Sequence, residues 1–245
     1  MGAATAHILA KEGAKLVLCS RNAEALGSRA ESIRKINNTE VSIVVTDLTV
    51  RSAADDLVKS TIAQFERIDI LINAAGASRG GLFWELSDDV WEESFRLKVM
   101  GTIRTMRAAI PFMIKQNYGR IVNIVGNTGL QPGPRLLPGS SANAALLAIT
   151  RGLAEDLAPH NVVVNALNPG PTRTERWTIL MKDLAASSGR SIVDVERDFT
   201  DQIPLDRLAE PDEIAGMVAF LASDRAANLT GAALTPDGGW TRGIG

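Results

Sequence analysis

The sequence predicts an α/β fold: a Rossmann-like, doubly wound parallel sheet with helices on both faces. Three observations predict it. Short apolar runs alternate with longer Ala- and Glu-rich stretches along all 245 residues. The runs are near-continuous rather than alternating, which marks strands covered on both faces and hence a parallel sheet. No repeat, linker or low-complexity tract interrupts the pattern, so residues 1–245 read as a single domain.

Taken in order, residues 3–12 read as a helix closed by Gly13, a residue type suited to the position just past a helix end. Residues 15–19 form a short apolar strand and 23–36 a helix. The β-branched run 41–46 is the next strand, followed by helix 52–66 and strand 69–72. Helix 88–116 is long, and Pro111 should kink or divide it. Strand 120–125, helix 140–158 and strand 162–167 follow. Residues 175–201 read as one or two helices with a break near Gly189. Helix 211–223 opens at Pro211, with Glu210 before it and Asp212 and Glu213 in its first turn, as the helix dipole favours. A short strand at 232–235 ends the pattern.

The opening is unusual. A doubly wound sheet starts with a strand whose Gly-rich turn leads into the first helix. Here only Met1 and Gly2 precede that helix. Either the native chain begins upstream of Met1, the reading preferred, or the sheet lacks a central strand. A central gap would leave backbone donors and acceptors without partners.

Composition narrows the function. Apolar residues are 45% and charged residues 22% of the chain, ordinary for a globular protein. A net charge of −2 offers no basic face, so nucleic acid is not an expected partner. The single cysteine, Cys19, sits in an apolar run, and a reducing, cytoplasmic setting is expected. No apolar stretch reaches the roughly 18 residues of a membrane span, and no signal peptide is visible. The Met1-Gly2 start resembles a myristoylation site, but Ala6 stands where Ser or Thr is needed. The lone cysteine and the distant His7 and His160 suggest no metal site, and no Ser-His-acid set is visible.

Landmarks in register carry a family resemblance. Asn73-Ala74-Ala75-Gly76 closes one strand, and Gly119-Arg120-Ile121-Val122-Asn123-Ile124 forms the next. Asn168-Pro169-Gly170-Pro171-Thr172-Arg173-Thr174 follows a third, and Leu229-Thr230-Gly231 and Asp237-Gly238-Gly239 lie near the end. Together they resemble the short-chain dehydrogenase/reductases, including the β-ketoacyl carrier-protein reductases, over essentially the whole chain. Gly2 then resembles the last glycine of the family's Gly-rich loop.

The resemblance implies a dinucleotide, NADP in preference to NAD, because the basic Arg21 follows the strand where an acidic residue would favour the ribose of NAD. It implies that Asp47 and Leu48 lie by the adenine, and Asn73, Ala74 and Gly76 by the adenosine ribose. It places Pro169, Gly170, Thr172 and Thr174 at the nicotinamide end. For each there is a plainer alternative: a solvated arginine, a helix cap at Asp47, a rigid turn and helix start at 169–174. If Met1 is the true start, the diphosphate loses its main cradle, and dinucleotide affinity is expected to be low or absent, with no cofactor as the extreme.

The family reduces carbonyls with a Tyr, a Lys four residues later, a Ser and a helix Asn. By register these fall on Gly139, Asn143, Gly126 and Lys98, so none is retained. The chain's only tyrosine, Tyr118, lies in a turn on the wrong side of strand 120–125. Lys and Asn have exchanged places, so an ammonium could persist at Lys98, against the plain alternative of a solvated helix lysine. Ser140, Ser141 and Asn127 could add hydroxyl or amide groups. Three functions stay open: an NADP-dependent oxidoreductase on a carbonyl or hydroxyl substrate with an altered site, a non-redox lyase, hydrolase or isomerase, and a silent binding or scaffold protein. The resemblance also implies a homo-oligomer, dimer or tetramer, and a substrate lid at 175–201. Trp177, Ile179, Leu180 and Met181 in that lid would suit a partly hydrophobic small molecule, or simply pack on the core.

Overall fold

A computed structural model describes residues 1–76 and 79–243. Its helices are α1 (Gly2–Lys11), α2 (Ala23–Arg34), α3 (Ala53–Phe65), α4 (Asp88–Ser94), α5 (Met100–Gln116), α6 (Leu137–Leu157), α7 (Glu175–Ser188), α8 (Ile192–Thr200) and α9 (Pro211–Ala222). Its strands are β1 (Leu16–Ser20), β2 (Val41–Val45), β3 (Ile70–Asn73), β4 (Gly119–Ile124), β5 (Val162–Leu167) and β6 (Ala233–Leu234). Every pairing is parallel. The α/β doubly wound expectation is met.

The sheet is split. β1 pairs with β2, while β3, β4, β5 and β6 form a separate ladder in that order. Among the described residues no strand joins β1 to β3. The Leu16 amide donates to Glu40 and the Ser20 carbonyl accepts from Thr46, so these residues point toward β2. Strand alternation then turns Val17 and Cys19 to the opposite side, toward the gap. Asp69 accepts from Arg120, which likewise turns Ile70 and Ile72 toward the gap. A cavity of about 1060 Å³ fills the space, lined by both strands, α1, α3 and the start of α5. Helices bridge it: Ile72 and Ala219 of α9 pack against the cluster of Ala6, Leu9 and Ala10 from α1 with Leu16, Ala30, Ile33 and Val41.

Burial follows this split. Every residue of β4 and β5 is buried. They are flanked by Met106, Ala109, Met113, Ala154 and Leu157 on one side and by Ile214, Val218 and Leu221 on the other. By contrast β2 is an outer strand with an alternating pattern, and Ile43 and Val45 are 38% and 52% exposed. The expectation of strands covered on both faces is therefore corrected for β2. Ile70, Leu71 and Ile72 of β3 are only half-buried, because the cavity lies beside them.

Other boundaries need correction. Helix 88–116 is interrupted at Phe95–Val99, which winds as a π-helix, and not at Pro111. Pro111 is exposed, as is Arg107, whose carbonyl loses its helical donor and can turn to water instead. Helix α6 begins at Leu137, three residues before the expected 140, with Pro138 in its first turn where a missing N–H is harmless. The final strand shrinks from 232–235 to Ala233–Leu234. Residues 175–201 resolve into α7 and α8, divided by Gly189 in the left-handed conformation.

Candidate functional site

Parallel strands carry their loops at the C-terminal ends, and the residues singled out by sequence gather there. The upper wall of the cavity holds Gly2, Arg21, Asp47, Leu48, Asn73, Ala74 and Gly76. A Cβ built on Gly2 would lie 3.3 Å from Ala74 Cβ, so the start of α1 closes tightly on the loop after β3. The first bond into α1 runs from the Thr5 amide to the Met1 carbonyl, 2.9 Å. The amides of Gly2, Ala3 and Ala4 precede it and lie at the positive end of the helix.

Arg21 and Asp47 meet loosely at 3.9 Å, both substantially exposed. Asp47 is not a helix cap. Its carboxylate accepts from the Thr49 amide at 2.9 Å, and bonds from Thr49 hold its carboxyl below the usual range, with Arg21 adding a smaller pull. The carbonyl of Leu48 accepts from Arg104 at 3.3 Å. Asn73 is buried and committed to the interior: it donates to Asn123 at 2.9 Å and accepts from the Thr105 hydroxyl at 2.7 Å, while Asn123 donates on to Thr150. That amide chain rigidifies the ends of β3 and β4.

The loop 168–174 and the segment 235–241 prove to be one structure. A Cβ on Gly170 would lie 2.6 Å from Asp237 Cβ, so only glycine permits the approach. Asp237 accepts from the Gly239 amide at 3.0 Å, the Thr241 amide at 2.7 Å and the Asn127 side chain at 3.4 Å. Pro169 accepts from the Asn127 amide at 3.1 Å. Thr172 donates its hydroxyl to Gly170 at 3.0 Å, and Thr174 caps α7 by accepting from the Trp177 amide at 3.3 Å. The plainer expectation of a rigid turn and helix start describes these two hydroxyls.

Lys98 and Asn143 meet the backbone just past the end of β4, at Val125 and Gly126. Lys98 lies on the π-helical turn, a distortion often found at functional sites and one that sequence periodicity does not reveal. Its amine donates to the Val125 carbonyl at 2.6 Å, and its stem packs over Gly76, where a Cβ would sit 3.2 Å from Lys98 Cδ. Lys98 is thus not a solvated helix lysine. Burial, and secondarily the Arg176 guanidinium, lower its pKa to about 7. Arg176, on α7, donates to the Gly76 carbonyl.

Asn143 lies against Gly126 from α6. Its amide donates to the Thr128 hydroxyl at 2.8 Å, and its buried Oδ1 has no partner among the described residues. A Cβ at Gly126, whose φ is +139°, would fall 2.8 Å from Asn143 Nδ2. Gly139 sits in the first turn of α6. The nearby serines offer less than expected: Ser140 donates back to Leu136 at 2.9 Å and Ser141 to Leu137 at 2.7 Å.

Tyr118 is committed elsewhere. At the N-terminal end of β4 it stacks on Arg120, 4.2 Å from its ring centre, and donates to Asp224 at 3.1 Å. Eight residues of chain at ~3.3 Å each place it roughly 25 Å from Gly126. His7 lies within α1, and His160 is half-buried. No group of His, Cys, Asp or Glu suited to a metal ion occurs among the described residues. Nor is any described helix long and apolar enough to cross a membrane.

Comparison with known proteins agrees with this architecture. A family described as enoyl-(acyl carrier protein) reductase matches residues 1–241. The chain is 31% identical over 245 residues to the NADPH-dependent reductase BacG of Bacillus subtilis (strain 168), covering 100% of this chain and 95% of that protein. It is 31% identical over 239 residues to the 3-oxoacyl-[acyl-carrier-protein] reductase FabG of Aquifex aeolicus (strain VF5), covering 98% and 92%. Among solved structures, L-sorbose reductase from Gluconobacter frateurii, complexed with NADPH and L-sorbose, superposes with a TM-score of 0.92 at 30% identity, covering 99% and 93%. With its parallel sheet, its loops at the strand ends and these relatives along its whole length, the chain belongs to the short-chain dehydrogenase/reductase family.

Proposed function

We propose that the chain is an NADP-dependent oxidoreductase acting on a small carbonyl or hydroxyl compound, with the usual Tyr, Lys, Ser and Asn replaced at Gly139, Asn143, Gly126 and Lys98. The observation that carries the cofactor reading is the cavity wall, which includes both Arg21 and the close Gly2–Ala74 approach. The residues present fit a dinucleotide: Arg21 for a 2′-phosphate, Asp47 and Leu48 beside the adenine, the backbone of Asn73 through Gly76 along the ribose, and the first amides of α1 for phosphate oxygens. Pro169, Gly170, Thr172 and Thr174 would line the nicotinamide end. A bound nicotinamide cofactor supplies or accepts hydride. This chain's residues must then orient the substrate and move a proton.

Lys98 is the residue that supports proton transfer. With a pKa of about 7 it can hold and release a proton near neutrality, where a general acid or base works best. Segment 175–201 would act as a lid, although Trp177 and Met181 are buried within their own cluster with Ala185, Val195 and Ile203, leaving Ile179 exposed. The assembly proposed is a homo-oligomer, dimer or tetramer.

Charge reversal at Arg21 tests the cofactor reading. Arg21→Glu should weaken NADPH binding by about tenfold or more and leave NADH binding within about threefold, as loss of one phosphate contact predicts. Equal losses for both nucleotides would remove Arg21 from the site.

A further inference from the structure

We infer that the gap between β1 and β3 is a docking slot for an extended apolar peptide of a separate chain, held by main-chain bonds to both strand edges. The inference goes beyond hydride transfer and needs no nicotinamide.

The backbone on either side defines the occupant. Val17 and Cys19 on β1, and Ile70 and Ile72 on β3, turn their amides and carbonyls toward the gap, and no strand among the described residues pairs with them there. All four residues are half-buried, where a backbone group without a protein partner depends on water. An inserted strand bonds to both edges at once, because successive residues turn their N–H and C=O groups to opposite sides. The slot therefore calls for backbone as well as apolar bulk. A fatty acyl chain would supply the bulk and leave both edges unpaired.

Size and lining agree with a strand. β1 and β3 are five and four residues long, so a segment of about five residues runs the length of the slot. A residue in a sheet covered on both faces occupies about 160 Å³, from a rise of ~3.3 Å, a strand spacing of ~4.8 Å and ~10 Å between layers, so the cavity of about 1060 Å³ has the volume of about six. Ala6 and Leu9 of α1 line one face, the side on which α1 packs against Ala219 of α9. Leu57 and Val58 of α3 line the other, with Val58 in the cluster of Met106 and Met113 from α5. Side chains of an inserted strand alternate between these two faces, so an occupant apolar at every position fits both. At the foot of the slot Lys15 is paired with Glu40 at 2.7 Å and Arg67 with Asp69 at 2.7 Å, so charge does not select the occupant.

Peptide titration with an exchange readout tests it. The full chain is titrated calorimetrically with a synthetic peptide of alternating valine and alanine, about six residues long and flanked by lysines, and amide hydrogen exchange is read by residue with and without it. Binding should saturate at one peptide per chain. Exchange at Val17, Cys19, Ile70 and Ile72 should slow by at least about tenfold, while Ile43 and Val45 on the outer strand β2 keep their rates. The same peptide with proline at its two central positions should bind at least about tenfold more weakly, because it lacks those donors. Absence of saturable binding, slowing at Ile43 and Val45 in place of the four slot residues, or equal affinity for the proline peptide overturns the inference. Binding of decanoate while the valine peptide is inert assigns the slot to an acyl chain and overturns it as well. NADPH titration of the same preparation keeps the readings apart: peptide binding without nucleotide binding removes the reductase reading alone, and nucleotide binding without peptide binding removes the docking slot alone.

Discussion

Lys98 has a lowered pKa in the folded chain, about 7 against an ordinary 10.5. Between those values the unfolded chain holds a proton that the folded chain has released, so the Lys98 contribution makes stability rise with pH across that window. Below it, both states are protonated and the cost of enclosing the charge is fully present. Urea midpoints at about pH 7 and about pH 9 should therefore rise less in Lys98→Met than in the unmodified chain. An equal rise in both would mean the amine is as well solvated folded as unfolded. Gly126 gives a second prediction. Its φ of +139° and the 2.8 Å approach to Asn143 Nδ2 make Gly126→Ser destabilising by about 1–3 kcal/mol, measured by denaturant unfolding. The family serine therefore cannot simply be restored. Tyr118→Phe should cost about 1 kcal/mol of stability through its lost bond to Asp224, and leave any turnover unchanged. Residue identities at these positions were legible in the sequence, since a chain with a lone tyrosine in a turn has no tyrosine for the site. The setting of Lys98 was not, because a single π-helical turn shifts a hydrogen-bond register without altering the apolar pattern.

Elements β1 and β3 carry the unusual backbone of the molecule. Val17, Cys19, Ile70 and Ile72 turn their amides toward the cavity, whereas β4 is paired on both edges. Amide hydrogen exchange resolved by residue should find those four faster than Val122 and Val164 by at least about tenfold. Protection equal to the β4 core would mean that the gap is closed in solution. The clamp between loops 168–174 and 235–241 makes the opposite prediction of rigidity. Gly170→Ala would press a methyl into the Asp237 backbone and should cost about 1–3 kcal/mol. The strands were legible within a residue or so wherever an apolar run met a polar turn, as at 162–167. Helix α6 was not, because its first turn, Leu137 through Gly139, contains a proline and a glycine that read as loop. The burial of Ser140 and Ser141 hydroxyls into helix carbonyls followed from that same early start and was equally hidden.

At the scale of the molecule, two ladders are held together by helices across a cavity of about 1060 Å³ rather than by one continuous sheet. The opening helix left two readings, a chain that begins upstream of Met1 or a sheet that lacks a central strand, and the gap between β1 and β3 is common to both. The sequence could not show how the gap is bridged, since α1 meets α9 only through tertiary packing of Ala6, Leu9 and Ala219. Nor could it show that Arg120, 3% exposed, is anchored by Asp224, 79% exposed, at the end of β4 remote from the site. Gly2, Arg21, Asp47, Leu48, Asn73, Ala74 and Gly76, which we propose for the cofactor, line the same cavity as the gap, so the proposal ties nucleotide affinity to sheet integrity. The measurement that tests the account most directly is calorimetric titration of the full chain with NADPH and, separately, NADH. The account predicts saturable binding of NADPH at one site per chain, tighter than NADH by about tenfold. Failure to bind either nucleotide, or tighter binding of NADH, would contradict it.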